Sequence, residues 1–511
     1  MSADANQGPP RSTPRELREF VRRFEPYGFL EQIGRASLSE GTNTRTGRLF
    51  PGPNASAVVL TQFGLAELAR FVLRSGSFHR TRGADEDAVV QGMNLVNGLE
   101  EPTIGAEASP AEWGIYLMRL GHKQFPIQSG VIPRLPRMLT LFSRLPPTVP
   151  EAAAYDIPRR FQQLTGLTIE QFTWVSISLF AILQRSPTLD VSNVIEHGLS
   201  SLREHVNRET VERTLALVSC SASDFRQLAD REAETITDPR QEHWAFNPLY
   251  VKPLIRTTAG RYIAPVPRAL MERLVDAPYF ELLTADGTAF TVPFGYVFEA
   301  YVGWLLAPYL GDRLKPAIRY GTDSRTADWN VFDVDGITQL EAKTGRLRKE
   351  AKTTGNAEVV IAALKTHYGQ AARQLYRITQ RVATQPELAL LRGRGLNSLV
   401  VFLEPIVWVN TPLFEPLRAA AKQAENVPVE FDPQICSVDA IELLAAHLAD
   451  HSLFDICRRK VSEADHRYWD WDTYVRAQFP LEKNRELVRC FDEFTKPIDD
   501  ERETMRSARG V

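Results

Sequence analysis

The sequence predicts an α/β core, a mixed sheet flanked by helices in the order helix, strand, strand, strand, helix, strand. That core stands between a large, mostly helical N-terminal region and a helical C-terminal region. Three observations predict this. Before about residue 240, apolar residues recur at three- and four-residue steps, the period of an amphipathic helix. From Phe294 onward, short alternating runs appear beside one long apolar helix pattern. Past residue 409 the helical period returns, so mixed elements lie between two helical stretches.

The elements follow in order. Residues 1–12 read as a disordered tail rich in Gly, Pro, Asn and Ser. "STPRELREFVRRF" then opens the first helix: Thr13 caps it, Pro14 suits the first helical position and Glu16 closes a capping box. A helical domain is expected over 13–243, punctuated by prolines in "SGVIPRLPRM" and "RLPPTVPEA". Residues 244–290 form a connecting segment, with a β-hairpin in "NPLYVKPLIRTTAGRYIAPVP" and a helix in "RALMERLVDA". The α/β domain spans 291–408, from "FGYVFEAYVGWLLAPYL" through "KPAIRYG", "DWNVFDV" and "ITQLEAK" to "VIAALKTHYGQAARQLYRITQRV" and "NSLVVFLEPIVWV". The remaining 409–511 is expected to be helical.

Composition narrows the class. With 511 residues, two to four domains are expected, and 43% hydrophobic residues suffice for packed cores. A net charge of -3 argues against a basic coat, so any nucleic-acid contact must come from local patches. The four cysteines, Cys220, Cys436, Cys457 and Cys490, fit no zinc or CxxC spacing and read as buried thiols of a reducing compartment. No basic-then-apolar leader opens the chain. The most apolar run, "FTWVSISLFAIL", is about half a membrane span and reads as a buried core helix, so a soluble, cytoplasmic protein without membrane contact is expected. Walker, zincin and nucleophile-elbow motifs are absent, and the nine histidines are scattered, which disfavours histidine-based hydrolysis.

Chemistry concentrates at "DWNVFDVDGITQLEAKTGRL", Asp328 to Leu347. "Asp335-Gly336" signals a hairpin turn. A two-residue loop pairs Asp328 with Lys343 and Asn330 with Glu341; a four-residue loop, Asp333 to Gly336, pairs Asp328 with Glu341. Either places Asp328, Glu341 and Lys343 on one face, because side chains alternate along a strand. A three-residue loop would turn Asp328 to the other face. Two carboxylates beside an amine form a costly cluster unless a hard divalent cation joins them. The amine then orients a water or stabilises charge developing on a phosphoryl group. Asp333 is the weaker rival for Asp328.

This pattern resembles the PD-(D/E)xK nuclease superfamily, the restriction-endonuclease-like fold, over about residues 294 to 405. Ala327-Asp328 stands where that family has Pro-Asp, and Glu341-Ala342-Lys343 matches E-x-K. The resemblance implies a Mg²⁺-dependent deoxyribonuclease, with Mn²⁺ able to substitute. Glu299, Asp328 and Glu341 would be metal ligands, and Lys343 would act on the attacking water. Glu299 fits the acid that the family often carries on its first helix; it lies beside the stripe Phe294, Phe298, Tyr301 and Leu305, between Gly295 and Gly303. Some branches add a Gln or Tyr from the helix after E-x-K; Gln370 is taken for that role, with Gln374 and Tyr376 as further candidates, although the family's Gln-to-Tyr spacing is not reproduced. Nucleases of this resemblance often serve bacterial defence against foreign DNA, or repair. DNA is the expected partner, and the helical regions are expected to offer a surface for a protein partner or a second copy. The basic run "TGRLRKEAK" could grip phosphates or be a solvated turn, and the aromatic "HRYWDWDTYV" reads as packing or a protein interface. A catalytically inactive scaffold of this type, used for binding, is the alternative.

Overall fold

In the computed structural model, residues 12–39, 60–99, 107–128, 133–195, 205–322 and 324–508 are described; the expected tail lies outside them apart from Ser12. A five-stranded sheet organises the second half of the chain. Its strands are β1 (Leu314–Pro316), β2 (Trp329–Phe332), β3 (Gly336–Lys343), β4 (Gly395–Phe402) and β5 (Gln434–Ser437), in the spatial order β5-β4-β3-β2-β1. β1 pairs antiparallel with β2 and β2 antiparallel with β3, whereas β4 lies parallel to both β3 and β5.

Two helix layers cover this sheet. The pairing Val331↔Thr338 and Trp329↔Leu340 turns Val331 and Leu340 to one face, where they join the core of α1 (Arg268–Asp286) and α2 (Thr288–Leu310). The opposite face carries Ile337 and Val400 against α3 (Ala357–Leu364), α4 (Gln370–Arg381) and α5 (Glu415–Gln423). Phe294, Phe298, Tyr301 and Leu305 are all fully buried on α2. Among the described residues, one stretch, Thr288–Arg313, is long and apolar enough to cross a membrane; half of it is buried, as α2 of this core.

The hairpin between β2 and β3 takes the four-residue alternative. Phe332 pairs with Ile337, and Asp333 N–H donates to the Gly336 carbonyl at 2.9 Å. Gly336 already lies in the strand, and its role is contact rather than turn geometry: a Cβ there would stand 2.3 Å from the Phe454 ring. The two-residue loop read from Asp335-Gly336 is thereby replaced.

The division into domains needs correction. The fifth strand, Gln434–Ser437, comes from the region expected to be purely helical, so the sheet does not end at 408. The helical N-terminal region also contributes strands: Thr188–Leu189 and Ser219–Ser221 flank the hairpin Leu254–Arg256/Tyr262–Ile263 in a four-stranded sheet. Nor does residue 243 separate two cores. Residues 17–36 and 60–99 share a core with Phe225, Ile255 and Ile263, while residues 135–194 and 206–218 pack into the core of α1, α2 and the five-stranded sheet. The ring of Phe142 stacks on Phe294 at 4.9 Å, and Arg137 reaches Glu442 at 2.6 Å, to which Tyr301 also donates at 2.5 Å. Apolar period alone assigns elements, but it does not say which helices share a core.

Candidate active site

The register of β2 and β3, continued by one step, sets Asp328 opposite Glu341. Asp328 is 2% exposed and Glu341 fully buried. The Asp328 Oδ2 accepts the Ala342 N–H at 2.8 Å, which locks its carboxylate across the strand pair. Lys343, two residues past Glu341 on the same face, donates from Nζ to Glu341 Oε1 at 2.5 Å. Gln374 on α4 donates to Glu341 Oε2 at 3.0 Å and to the Thr326 carbonyl at 3.2 Å. The face continues inward with Asn330 and Gln339, both buried, joined by a Gln339 Nε2 to Asn330 Oδ1 bond at 3.4 Å.

Glu299 arrives from the other layer, at the end of the sheet. α2 is held there because Gly303 leaves room for the Trp329 indole, 2.0 Å from where a Cβ would lie, and Trp329 Nε1 donates to the Glu299 carbonyl at 2.8 Å. Gly295, by contrast, faces open space. Arg325 bridges the two layers: its guanidinium lies 2.9 Å from Asp328 Oδ1 and 3.4 Å from Glu299 Oε2. Burial, then the charge of Asp328, pushes the Glu299 carboxyl up to about 7. Burial and then Asp328 do the same to Glu341, also to about 7, against the pull of Lys343. Asp328 is raised as well, by burial, although Lys343 and Arg325 oppose it. Burial is the largest cause at all three, so this is a dry site whose two cations only partly offset the cost of holding its acids ionised.

Does this set fit a divalent metal? The donor chemistry does: three carboxylates are hard oxygen ligands of the kind Mg²⁺ takes. Asp328 Oδ1 is buried and makes no hydrogen bond, although Arg325 pairs with it electrostatically. The arrangement itself is not closed around an ion: among the described residues no three His, Cys, Asp or Glu side chains form a group that could hold one. Arg325 stands between two of the acids instead.

Glu299, Asp328, Glu341 and Lys343 are thus brought together, and Gln370 is not. Gln370 is exposed at the start of α4, and Gln374, one turn on, makes the contact with Glu341. The two share a helix face in the sequence pattern, and the sheet's position decides between them. Tyr376 packs on Phe431 at 5.3 Å. Asp333 is a structural residue: it pairs with Arg313 at 2.9 Å and accepts the Phe454 N–H at 2.9 Å. Arg325 and Gln339 were missed, since neither belongs to a recognisable motif.

The basic run after β3 does not form an open phosphate grip. Arg346 pairs with Asp276 at 3.1 Å and lies over the Tyr279 ring, Lys349 pairs with Glu232, and Lys352 with Glu404; Arg348 alone of the four is exposed without such an ion pair. In "HRYWDWDTYV", Trp471 and Tyr474 are buried and Asp470 accepts the Trp408 N–H at 2.8 Å, which is packing. Cys436, Cys457 and Cys490 are buried thiols, and Cys220 is half-buried. No protein-family model matches this chain, and neither a curated protein nor a solved structure matches it.

Proposed function

We propose that the chain is a metal-dependent phosphodiesterase acting on DNA, cytoplasmic, and of the PD-(D/E)xK type. The observation that carries this reading is the convergence of Asp328, Glu341 and Lys343 on one sheet face, with Glu299 on α2 joined to Asp328 through Arg325. The strand order around them, three antiparallel strands followed by helices and a parallel strand, supports it. Glu299, Asp328 and Glu341 would hold Mg²⁺ or Mn²⁺, which supplies positive charge at the phosphoryl oxygens. Lys343 orients the attacking water and stabilises the charge that develops on the phosphoryl group. Gln374 fixes the rotation of the Glu341 carboxylate, so that Lys343 and the phosphate meet in a set geometry. Hydrolysis proceeds in line, with water attacking opposite the leaving oxygen.

The test is cleavage of plasmid, linear duplex and single-stranded DNA, and of RNA, with Mg²⁺ or Mn²⁺ and with a chelator. The reading expects DNA cleavage that the chelator abolishes. One observation favours a second reading, a scaffold that binds without cutting: Arg325 and Lys343 already pair with all three acids. Retained DNA binding with no cleavage in either metal selects that reading.

A further inference from the structure

Beyond β3 the chain passes through Gly345, and the His367 ring lies directly on it. A Cβ at Gly345 would stand 2.3 Å from both Cγ and Nδ1 of that ring. His367 belongs to a single π-helical turn, Lys365–Gly369, set between α3 and α4. A π turn weakens helical hydrogen bonding, and such turns recur where a side chain has to be re-aimed for function. This one is wedged in place from both sides. Tyr368 is fully buried, and its hydroxyl donates to Asp432 at 2.8 Å. Gly369 sits so close to α5 that a Cβ would lie 2.6 Å from the Ala421 carbonyl oxygen. The consequence is that two side chains of this helical stretch face the same chain segment: Gln374 meets Glu341 on β3, and His367 lies on Gly345, two residues past Lys343.

Hydrolysis at this site needs an acceptor for the water's proton. An ammonium has donors and no acceptor, so Lys343 can orient the water without taking its proton. Glu341 has Oε1 committed to Lys343 and Oε2 to Gln374, Asp328 has Oδ2 committed to Ala342 and Oδ1 paired with Arg325, and Glu299 pairs with the same guanidinium. We propose that His367 is the proton acceptor for the attacking water, an assignment that rests on the hydrolytic reading above. The water's proton passes to an imidazole nitrogen as its oxygen bonds to phosphorus. The bond from phosphorus to the leaving oxygen breaks with its electron pair, and that alkoxide takes a proton from solvent. The imidazolium then returns its proton to solvent. Burial, followed by the charges of Lys343 and Arg348, pushes the imidazole below its ordinary value, which keeps it neutral and basic in form near pH 7.

The experiment compares full-length wild type with His367→Ala and His367→Gln. It measures the cleavage rate in Mg²⁺, DNA affinity with Ca²⁺ replacing Mg²⁺, and the rate with added imidazole. Both variants should bind DNA as wild type does and cleave about 10²-fold or more slowly, the scale of a lost general base. Free imidazole should restore part of the rate of the Ala variant, whose ring space is open, and none in the Gln variant. An Ala variant that cuts near the wild-type rate, or a loss that imidazole leaves unrestored, overturns the role of His367. A wild type inert on every substrate in both metals overturns the hydrolytic reading itself, and the assignment falls with it.

Discussion

Glu341 shows what a single side chain does here. It accepts from Lys343 on one oxygen and Gln374 on the other, and it is still pushed up to about 7, first because it is fully buried and then because Asp328 lies across from it. Lys343→Ala removes the cation and leaves in place the carboxylate oxygens proposed to hold the metal. It should therefore bind Mg²⁺ largely as wild type does and cleave DNA about 10²-fold or more slowly; single-turnover rates at saturating Mg²⁺ measure this, and unchanged turnover removes Lys343 from the chemistry. Asp328, Glu341 and Lys343 were legible because alternation along a strand is a property of covalent geometry, and Glu299 because it borders an apolar helical stripe. Gln374 was legible only as one of three candidates. Arg325 and His367 were not legible, since the short strand pair Arg319–Tyr320 and Ser324–Arg325 and a π turn position them by tertiary contact.

At the scale of elements, the hairpin register decides whether a site exists. The four-residue turn is held by Asp333, which pairs with Arg313 and takes the Phe454 N–H, while Val334 at its tip is 98% exposed. Asp333→Ala leaves Arg313 and the Phe454 amide without their partner and should cost about 2 kcal/mol or more, read from the midpoint of urea unfolding. Val334→Ser at the exposed tip should leave that midpoint unchanged. A wild-type midpoint in Asp333→Ala would show that the turn holds its register without this clamp. The turn dipeptide announced a hairpin but not its loop length, because Gly336 is required by the Phe454 ring and not by a left-handed backbone. The fifth strand escaped detection for a related reason: Gln434–Ser437 is short and runs directly into the cap of the helix Val438–Ala445, so its alternation has no room to show.

For the molecule as a whole, the cores interleave. Residues 135–194 and 206–218 share one apolar core with α2 and the sheet, and Arg137 neutralises the buried Glu442. A fragment beginning near residue 245 would uncover that core and strand Glu442, so it should fail to unfold cooperatively in a thermal melt; a sharp transition would show that the α/β part is independent. Acid should also weaken the full chain through His243. Burial, then Lys123 and Arg70, lowers this imidazole to about 2. A depressed folded value means that its stabilising share is complete above the ordinary value of about 6.5 and is lost as pH falls from there toward about 2. Unfolding free energy should therefore drop by up to about 1.4 kcal/mol per pH unit below that point, and His243→Phe should flatten the drop. Equal slopes in both proteins would exclude His243 as its source.

The central proposal is that Glu299, Asp328 and Glu341, which Arg325 and Lys343 hold in this structure, close around a divalent cation when one is present. Thermal unfolding of wild type and of Glu341→Ala, each with a chelator and with millimolar Mg²⁺ or Mn²⁺, tests it most directly and without reference to any substrate. A cation that binds only the folded chain stabilises it by mass action, by about 2.7 kcal/mol at a hundredfold excess over the dissociation constant. Wild type should therefore melt higher in metal, and Glu341→Ala should gain clearly less. Identical melting of wild type with chelator and with either metal would contradict the claim.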